Sequence, residues 1–447
     1  MLLIYLPVIS PRSEYIFEVI FNHELGIKYS TTTNLTEFEN HGEEKINYSL
    51  HRHKDEFYIK AASLLSESLI KEMDLSIEEK YQSKILFSND ASCDVGFDIF
   101  SATFYMLSRY EEYLPFTADQ HGRFKGTESL AHKNNFLLIP VVDKWVSHFK
   151  NLLQKKFPAL KIRTSDFNAI MTYDIDVAFK FKGRGLLRNI GATIKDLLKF
   201  NAKNIYNRTQ TLYNNRKDPW DVYDYLDKTI RQNNLQSIFF FLLGDISTYD
   251  RNLDYKNPEM KKLVDKIKTF SDIGIHPSYK TSSSPEKILS EKGRLEKLSG
   301  KIIEKSRQHF LRFTLPETYN SLIKAGIRED YSMGFSGLPG FRAGTCKPFY
   351  FYDLKNEKST ELKIFPITLM EGTFINAGYS PPKKAVQDIF NLIEAVKNVN
   401  GTFISIWHNH TVSETTEYLN WKNVHDEMIQ FITQIVTPGP TATGLRE

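Results

Sequence analysis

Cysteine is almost absent: Cys93 and Cys346 are the only two in 447 residues, far apart and outside any CxxC pair. That excludes a disulfide framework and a thiolate zinc site, and it suits a reducing compartment. No apolar run approaches the roughly 20 residues a membrane span needs. The opening MLLIYLPVISPRSEYIF lacks a basic leader and a small-residue cleavage site, and Pro7 interrupts its apolar run. It reads as a first strand, not a signal peptide, and the expected location is the cytoplasm. Net charge is only +4, too small to call for nucleic acid. No internal repeat is visible.

What is present is an ordinary globular composition, 41% hydrophobic and 25% charged, long enough for two or three domains. The 32 Phe and 23 Tyr supply core, although sugar-binding clefts also use aromatic faces. Charge is uneven: the segment 179–217 carries ten Lys and Arg against one acid, Asp196. Within it, Leu186, Leu187, Ile190, Ile194, Leu197 and Leu198 recur at helical spacing between basic residues. The ordinary reading packs that apolar face on its own domain. The other reading lays residues 184–206 on the inner membrane surface.

Residues 1–165 read as a smaller α+β domain, with helices in DIFSATFYMLSRYEEYL and VVDKWVSHFKNLLQKKF. From 166 to 435, short apolar runs alternate with helical patterns. NAIMTYDID, QSIFFFLLGD, DIGIHP, KSRQHFL and GTFISIWHNH read as strands. DPWDVYDYLDKTIRQNN reads as a helix capped by Asp218, with Pro219 in its first turn. This alternation predicts a parallel β/α fold, barrel or doubly wound sheet, with active residues at the carboxyl ends of its strands. Residues 436–447 read as a disordered tail.

Those strand ends carry Asp174 and Asp176, Asp245, His276, His309 and His408. Residues two apart on a strand share a face, so Asp174 and Asp176 can share a pocket. Two close carboxylates repel unless a cation lies between them or one takes a proton. A divalent ion resolves this, with one Asp as ligand and the other as base toward a metal-activated water. Taken alone, a DxD at a strand end makes a turn or a cap; the set of two Asp and three His in one domain points to a metal site.

In this pattern the chain resembles the NodB-type polysaccharide deacetylases, carbohydrate esterase family four. MTYDID is similar to their first motif, DIGIHPSY to the opening of their second and FISIWHN to their last. KSRQHFLRFTLPETYNSLIKAGI resembles the third. A bacterial subgroup has an N-terminal domain of unknown function, with stretches like SATFYMLSRYEEYLPF and HGRF. The resemblance implies a distorted parallel β/α barrel and hydrolysis of N- or O-acetyl groups on a cell-envelope polysaccharide or its precursor. It implies Asp174 as base, His408 as acid and Arg307 as the arginine orienting Asp174, with Arg342 in GFRAG as a rival. Asp176 and His276 would bind a divalent metal, zinc. The second metal histidine of that motif is replaced here by Lys280. His309 is the candidate third ligand, with Asp272 behind it. Arg342, Tyr279 and Trp407 are the candidate substrate contacts. Two other readings stay open. One is a catalytically degenerate relative that binds glycan or a biosynthetic partner. The other is a glycosidase pairing Asp174 with Asp245 or Glu371.

Overall fold

The computed structural model describes residues 1–214, 216–379 and 382–436, without the side chains of 186–188. The expected tail therefore lies, past Val436, outside the described residues. The N-terminal strands are β1 (Leu2–Tyr5), β2 (Tyr29–Thr32), β3 (Lys45–Ser49) and β4 (Phe57–Lys60), in the order β2-β1-β3-β4. All their pairings are parallel, where a mixed α+β arrangement was expected. The chain returns between β1 and β2 through helical turns over residues 11–24, and between β2 and β3 through the helix Leu35–Asn40. These helical returns allow parallel pairing. A small antiparallel pair, β5 (Glu78–Lys80) and β6 (Ser83–Ile85), lies outside that sheet.

The alternating apolar runs of the second half form one nine-stranded sheet. Its strands are β7 (Asn168–Ile175), β8 (Gln236–Phe241), β9 (Asp272–Ile275), β10 (Lys305–Ser306), β11 (Glu329–Asp330), β12 (Phe349–Asp353), β13 (Lys358–Ile364), β14 (Leu369–Met370) and β15 (Thr402–His408). The order is β12-β13-β11-β10-β9-β8-β7-β15-β14. Every pairing is parallel except the β12–β13 hairpin, which sequence patterning did not bring out. The fold is thus the expected parallel β/α type. Its hydrogen-bonded order is open, running from β12 to β14, with no closing pair among the described residues.

Strand alternation divides the interior. Met171, Tyr173, Ile175, Phe239 and Phe241 point into the large core shared with the helices. Ile170, Ile238, Phe240, Ile404 and Ile406 point the other way into a small separate core with Leu311, Tyr331 and Ile367. Thr172 and Asp174 share the parity of Ile170, so the site rests on this second core.

The large core runs without a break into the N-terminal module. Tyr15 packs at a tilt against Tyr352 (centroids 4.9 Å) and donates to the Tyr350 carbonyl (2.7 Å). Arg342 also belongs to this junction. It is buried, donates to both Glu112 oxygens (2.9 and 2.6 Å) and lies over the Phe313 and Phe335 rings. A guanidinium committed to a buried carboxylate is structural, so Arg342 is not available to a substrate. Asp218 also differs from expectation. The helix starts at Tyr223, and Asp218 instead accepts the backbone N–H groups of Lys180, Phe181 and Lys182 (2.8, 2.8 and 3.0 Å). It thereby clamps the loop that follows Asp176.

Candidate active site

Parallel strands place all their carboxyl ends on one edge, and the candidate residues gather there. Asp174 is in β7 and Asp176 just past it; His408 ends β15, in register with Asp174. His276 directly follows β9, while Arg307 and His309 follow β10, whose Ser306 pairs with Ile275. His309 is on a short helical turn, not on the longer strand expected from KSRQHFL.

The ring nitrogens show how the cluster is wired. His276 Nδ1 faces the Arg307 carbonyl at 2.6 Å, His309 Nδ1 faces Asp250 Oδ1 at 2.9 Å, and His408 Nδ1 faces Glu371 Oε1 at 2.7 Å. All three partners can only accept, so each Nδ1 donates its proton outward and each ring turns its Nε2 inward, free to take a metal ion or a proton. All three Nε2 atoms converge on Asp176, at 3.2 Å for His276 and 3.5 Å for both His309 and His408. One ligand atom each from Asp176, His276 and His309 lies within 4.8 Å of the others. Asp176 Oδ1 is buried without a hydrogen-bond donor. Lone pairs facing a buried carboxylate oxygen fit a divalent cation, and two His with one carboxylate is a set that leaves positions open for water.

Without a cation, protons fill that place. Burial would lower the His309 pKa, but the Asp176 and Asp250 carboxylates outweigh it and raise it to about 9. For His408, burial is likewise outweighed, here by Glu371 and then Asp176, and its pKa rises to about 10. Asp176 moves the other way. Burial pushes it up, yet His309, His276 and His408 hold it well below the ordinary carboxylate range.

Asp174 is buried and receives Arg307 Nη1 at 2.9 Å. The same nitrogen donates to Thr172 Oγ1 (2.7 Å), Arg307 Nε donates to the Tyr331 carbonyl (2.9 Å), and the guanidinium lies 4.5 Å above the Phe240 ring. Arg307, not Arg342, therefore stands beside the carboxylate. Trp407 is fully buried on the opposite face, its ring 4.9 Å from His425. Alternation along β15 requires this once His408 faces the site. Tyr279 is half-buried at the rim, stacked on Tyr249 at 4.1 Å. Lys280 is exposed on the turn Tyr279–Ser282, and Asp272 is exposed at the start of β9, the opposite end from His276. Asp245 is exposed and paired with Arg294 and Lys287. Glu371 is buried behind His408.

The roles of two sets of residues escaped the sequence reading. Asp250 and Glu371 fix the rings of His309 and His408, and Glu371 also accepts the His408 N–H and the Thr411 hydroxyl (2.9 and 3.0 Å). Nothing local marks Asp250; Glu371 was read only as a candidate glycosidase partner of Asp174, and the structure sets it behind His408 instead. The second set comes from the N-terminal module. Gln120, His121 and Arg123 line the cleft of about 380 Å³ above the cluster. Arg123 donates to the Phe310 carbonyl, His121 Nδ1 meets the Tyr279 hydroxyl at 3.1 Å, and Arg312 donates to the His121 carbonyl at 2.7 Å. The HGRF stretch is thus one wall of the site.

Residues 2–158 match the model of a family of unknown function, DUF7033. No curated protein matches the chain. Among solved structures, similarity extends to a Mycobacterium smegmatis protein assigned as a polysaccharide deacetylase, with 13% identity, TM-score 0.40, and 62% of this chain and 86% of that one covered. A polysaccharide deacetylase from Bacillus cereus matches at 11% identity and TM-score 0.28, covering 61% of this chain and 88% of its own. A de-N-acetylase from Aggregatibacter actinomycetemcomitans matches at 10% and 0.21, over 38% and 88%. Likeness at this level carries no argument about activity. Among the described residues, no helix is long and apolar enough to cross a membrane.

Proposed function

We propose that this protein is a metal-dependent hydrolase that removes acetyl groups from an N- or O-acetylated carbohydrate. The observation that carries the reading is the convergence of three Nε2 atoms on Asp176 beside the Arg307–Asp174 pair. Asp176, His276 and His309 would hold the ion, with zinc the metal that suits them. Bound there, it would activate water and polarise the acetyl carbonyl.

The rest falls to the protein's own groups. Arg307, donating to Asp174 at 2.9 Å, holds that carboxylate in place, and Asp174 takes a proton from the attacking water. Glu371 holds His408 with Nε2 toward the cluster, where it gives a proton to the departing sugar nitrogen or oxygen as the bond to the acetyl carbon breaks. The acetyl group leaves as acetate. Phe310, which lines the cleft with His121 and is braced edge-on by Tyr249 and Tyr279, offers an aromatic surface against which a sugar ring can pack. In this reading the N-terminal module shapes the substrate cleft. Lys280, which replaces the second metal histidine of the resembled motif, is exposed at the rim on the turn Tyr279–Ser282.

The test pairs metal analysis with acetate release from a panel of N- and O-acetylated oligosaccharides. Asp174→Asn is expected to retain the ion and lose turnover by about 10²–10⁴-fold, and His276→Ala to lose both. Wild-type protein holding no divalent ion, or both variants matching wild type, would overturn the assignment.

A further inference from the structure

The segment between β7 and the helix Tyr223–Gln232 is built inside-out. Its two helices, Leu186–Leu198 and Ala202–Tyr213, form a hairpin. The polar residues face inward. Arg208 is buried, pairs with Asp196, donates to Thr193 Oγ1 (2.9 Å) and lies 5.0 Å from the Phe181 ring centre. Asn189 reaches the Phe181 carbonyl (3.3 Å). The apolar residues face solvent: Leu197 is 65% exposed, Leu198 75% and Phe200, at the tip, 96%. Ile190, Ile194, Tyr206 and Tyr213 are exposed with them. Seven large apolar side chains exposed together on one hairpin mark a surface that something covers.

The charges around the patch say what. Lys195, Lys199 and Lys203 are exposed on the same hairpin. Along the flank of the second helix, Lys180, Lys203, Arg216 and Lys217 line a groove of about 500 Å³, Lys203 donating to the Thr416 hydroxyl at 3.2 Å. Glu414 and Glu417 share that groove, Lys180 pairing with Glu417 at 3.1 Å and Lys217 with Asp224. The balance remains cationic. A second copy of the chain would set these lysines against one another. A surface of anionic headgroups over an apolar layer matches both features at once. Tyr206 and Tyr213, one above the other at a spacing of seven, suit the polar–apolar boundary.

We propose that the hairpin over residues 190–213 docks this protein onto an anionic lipid surface, with Leu197, Leu198 and Phe200 entering the headgroup–acyl boundary and Lys195, Lys199 and Lys203 facing the headgroups. The hairpin grows from the loop following Asp176, which Asp218 clamps. The proposal stands apart from the deacetylase reading, because its test reads lipid binding and not turnover.

The test is co-sedimentation of the full chain with vesicles of phosphatidylcholine alone or mixed with phosphatidylglycerol. Binding is expected to the mixed vesicles, weakening as salt is raised. Leu197→Glu/Leu198→Glu is expected to lower apparent affinity by about tenfold or more. Phe200→Glu lies outside both helices and reads the same contact if the double variant does not fold. Three results would overturn the proposal. The wild type could stay in the supernatant with mixed vesicles at low salt. The variants could sediment like wild type. Light scattering could show a dimer that Phe200→Glu dissociates, without vesicle binding, which would make a second copy the occupant.

Discussion

Asp250→Asn tests whether the cluster is a metal site supported from behind. Asp250 is fully buried; Oδ1 receives His309 Nδ1 (2.9 Å) and the Tyr279 N–H (2.8 Å), and Oδ2 receives the Ser247 hydroxyl (2.8 Å). Asparagine keeps the shape and can accept both N–H groups with its carbonyl, while its amide donates to Ser247. What it removes is one negative charge behind His309. A hydrogen bond to a charged group is worth about 1 kcal/mol more than a neutral one, and loss of such a supporting group typically costs about 10–100-fold in metal affinity. The proton complicates the reading near neutral pH. With the His309 pKa raised to about 9, an incoming cation at pH 7 displaces a proton at a cost of about 2.7 kcal/mol. Wild-type affinity should therefore rise with pH and flatten above about pH 9. Asp250→Asn lowers the His309 pKa, which partly hides its effect at pH 7. The assay is competition for zinc against a chromogenic chelator at both pH values, with a thermal melt to confirm folding. A larger deficit at pH 9 than at pH 7 is expected. Unchanged affinity at pH 9 in a folded variant would refute the idea that Asp250 supports a ligand.

Two further outcomes concern stability. Arg342→Ala should cost about 3 kcal/mol, because it leaves Arg109 alone to balance both Glu111 and Glu112 in the buried junction, while zinc binding survives; a folded variant with normal urea stability but altered metal binding would contradict this. His425 is buried between the hydroxyls of Tyr173 (3.0 Å) and Tyr225 (2.8 Å), and burial pushes its pKa down to about 4. A depressed folded-state pKa gives stability that is complete above about pH 6.5 and lost as pH falls toward 4, here about 3 kcal/mol. Urea melts of wild type and His425→Gln across that range should converge on acidification, and parallel curves would rule the assignment out.

Much of the frame was readable along the chain. Period-two alternation and continuous apolar runs mark β7, β8 and β15, and helical spacing marks the crossovers, because both patterns arise between near neighbours. Short strands were harder. β10, β11 and β14 have two residues each, too few to show a period, and their place comes from pairing. Which way the apolar residues of 190–198 turn was left open along the chain for a related reason. Periodicity reports that a stripe exists, not whether the domain or the solvent meets it.

Strand-end carboxylates and imidazoles are properties of a few consecutive residues, so Asp174, Asp176, His276 and His408 were placed on the rim from local pattern alone. Partners were another matter. Asp250 meets His309 across 59 residues, Glu371 meets His408 across 37, and Arg342 turns to Glu112 across 230. Only the order of strands in the sheet brings such groups within 3 Å. Which arginine serves Asp174, which acid steadies each imidazole, and which module walls the cleft were therefore settled by packing. Hydrogen bonds and desolvation act through space, and nothing in local sequence encodes distances between remote segments.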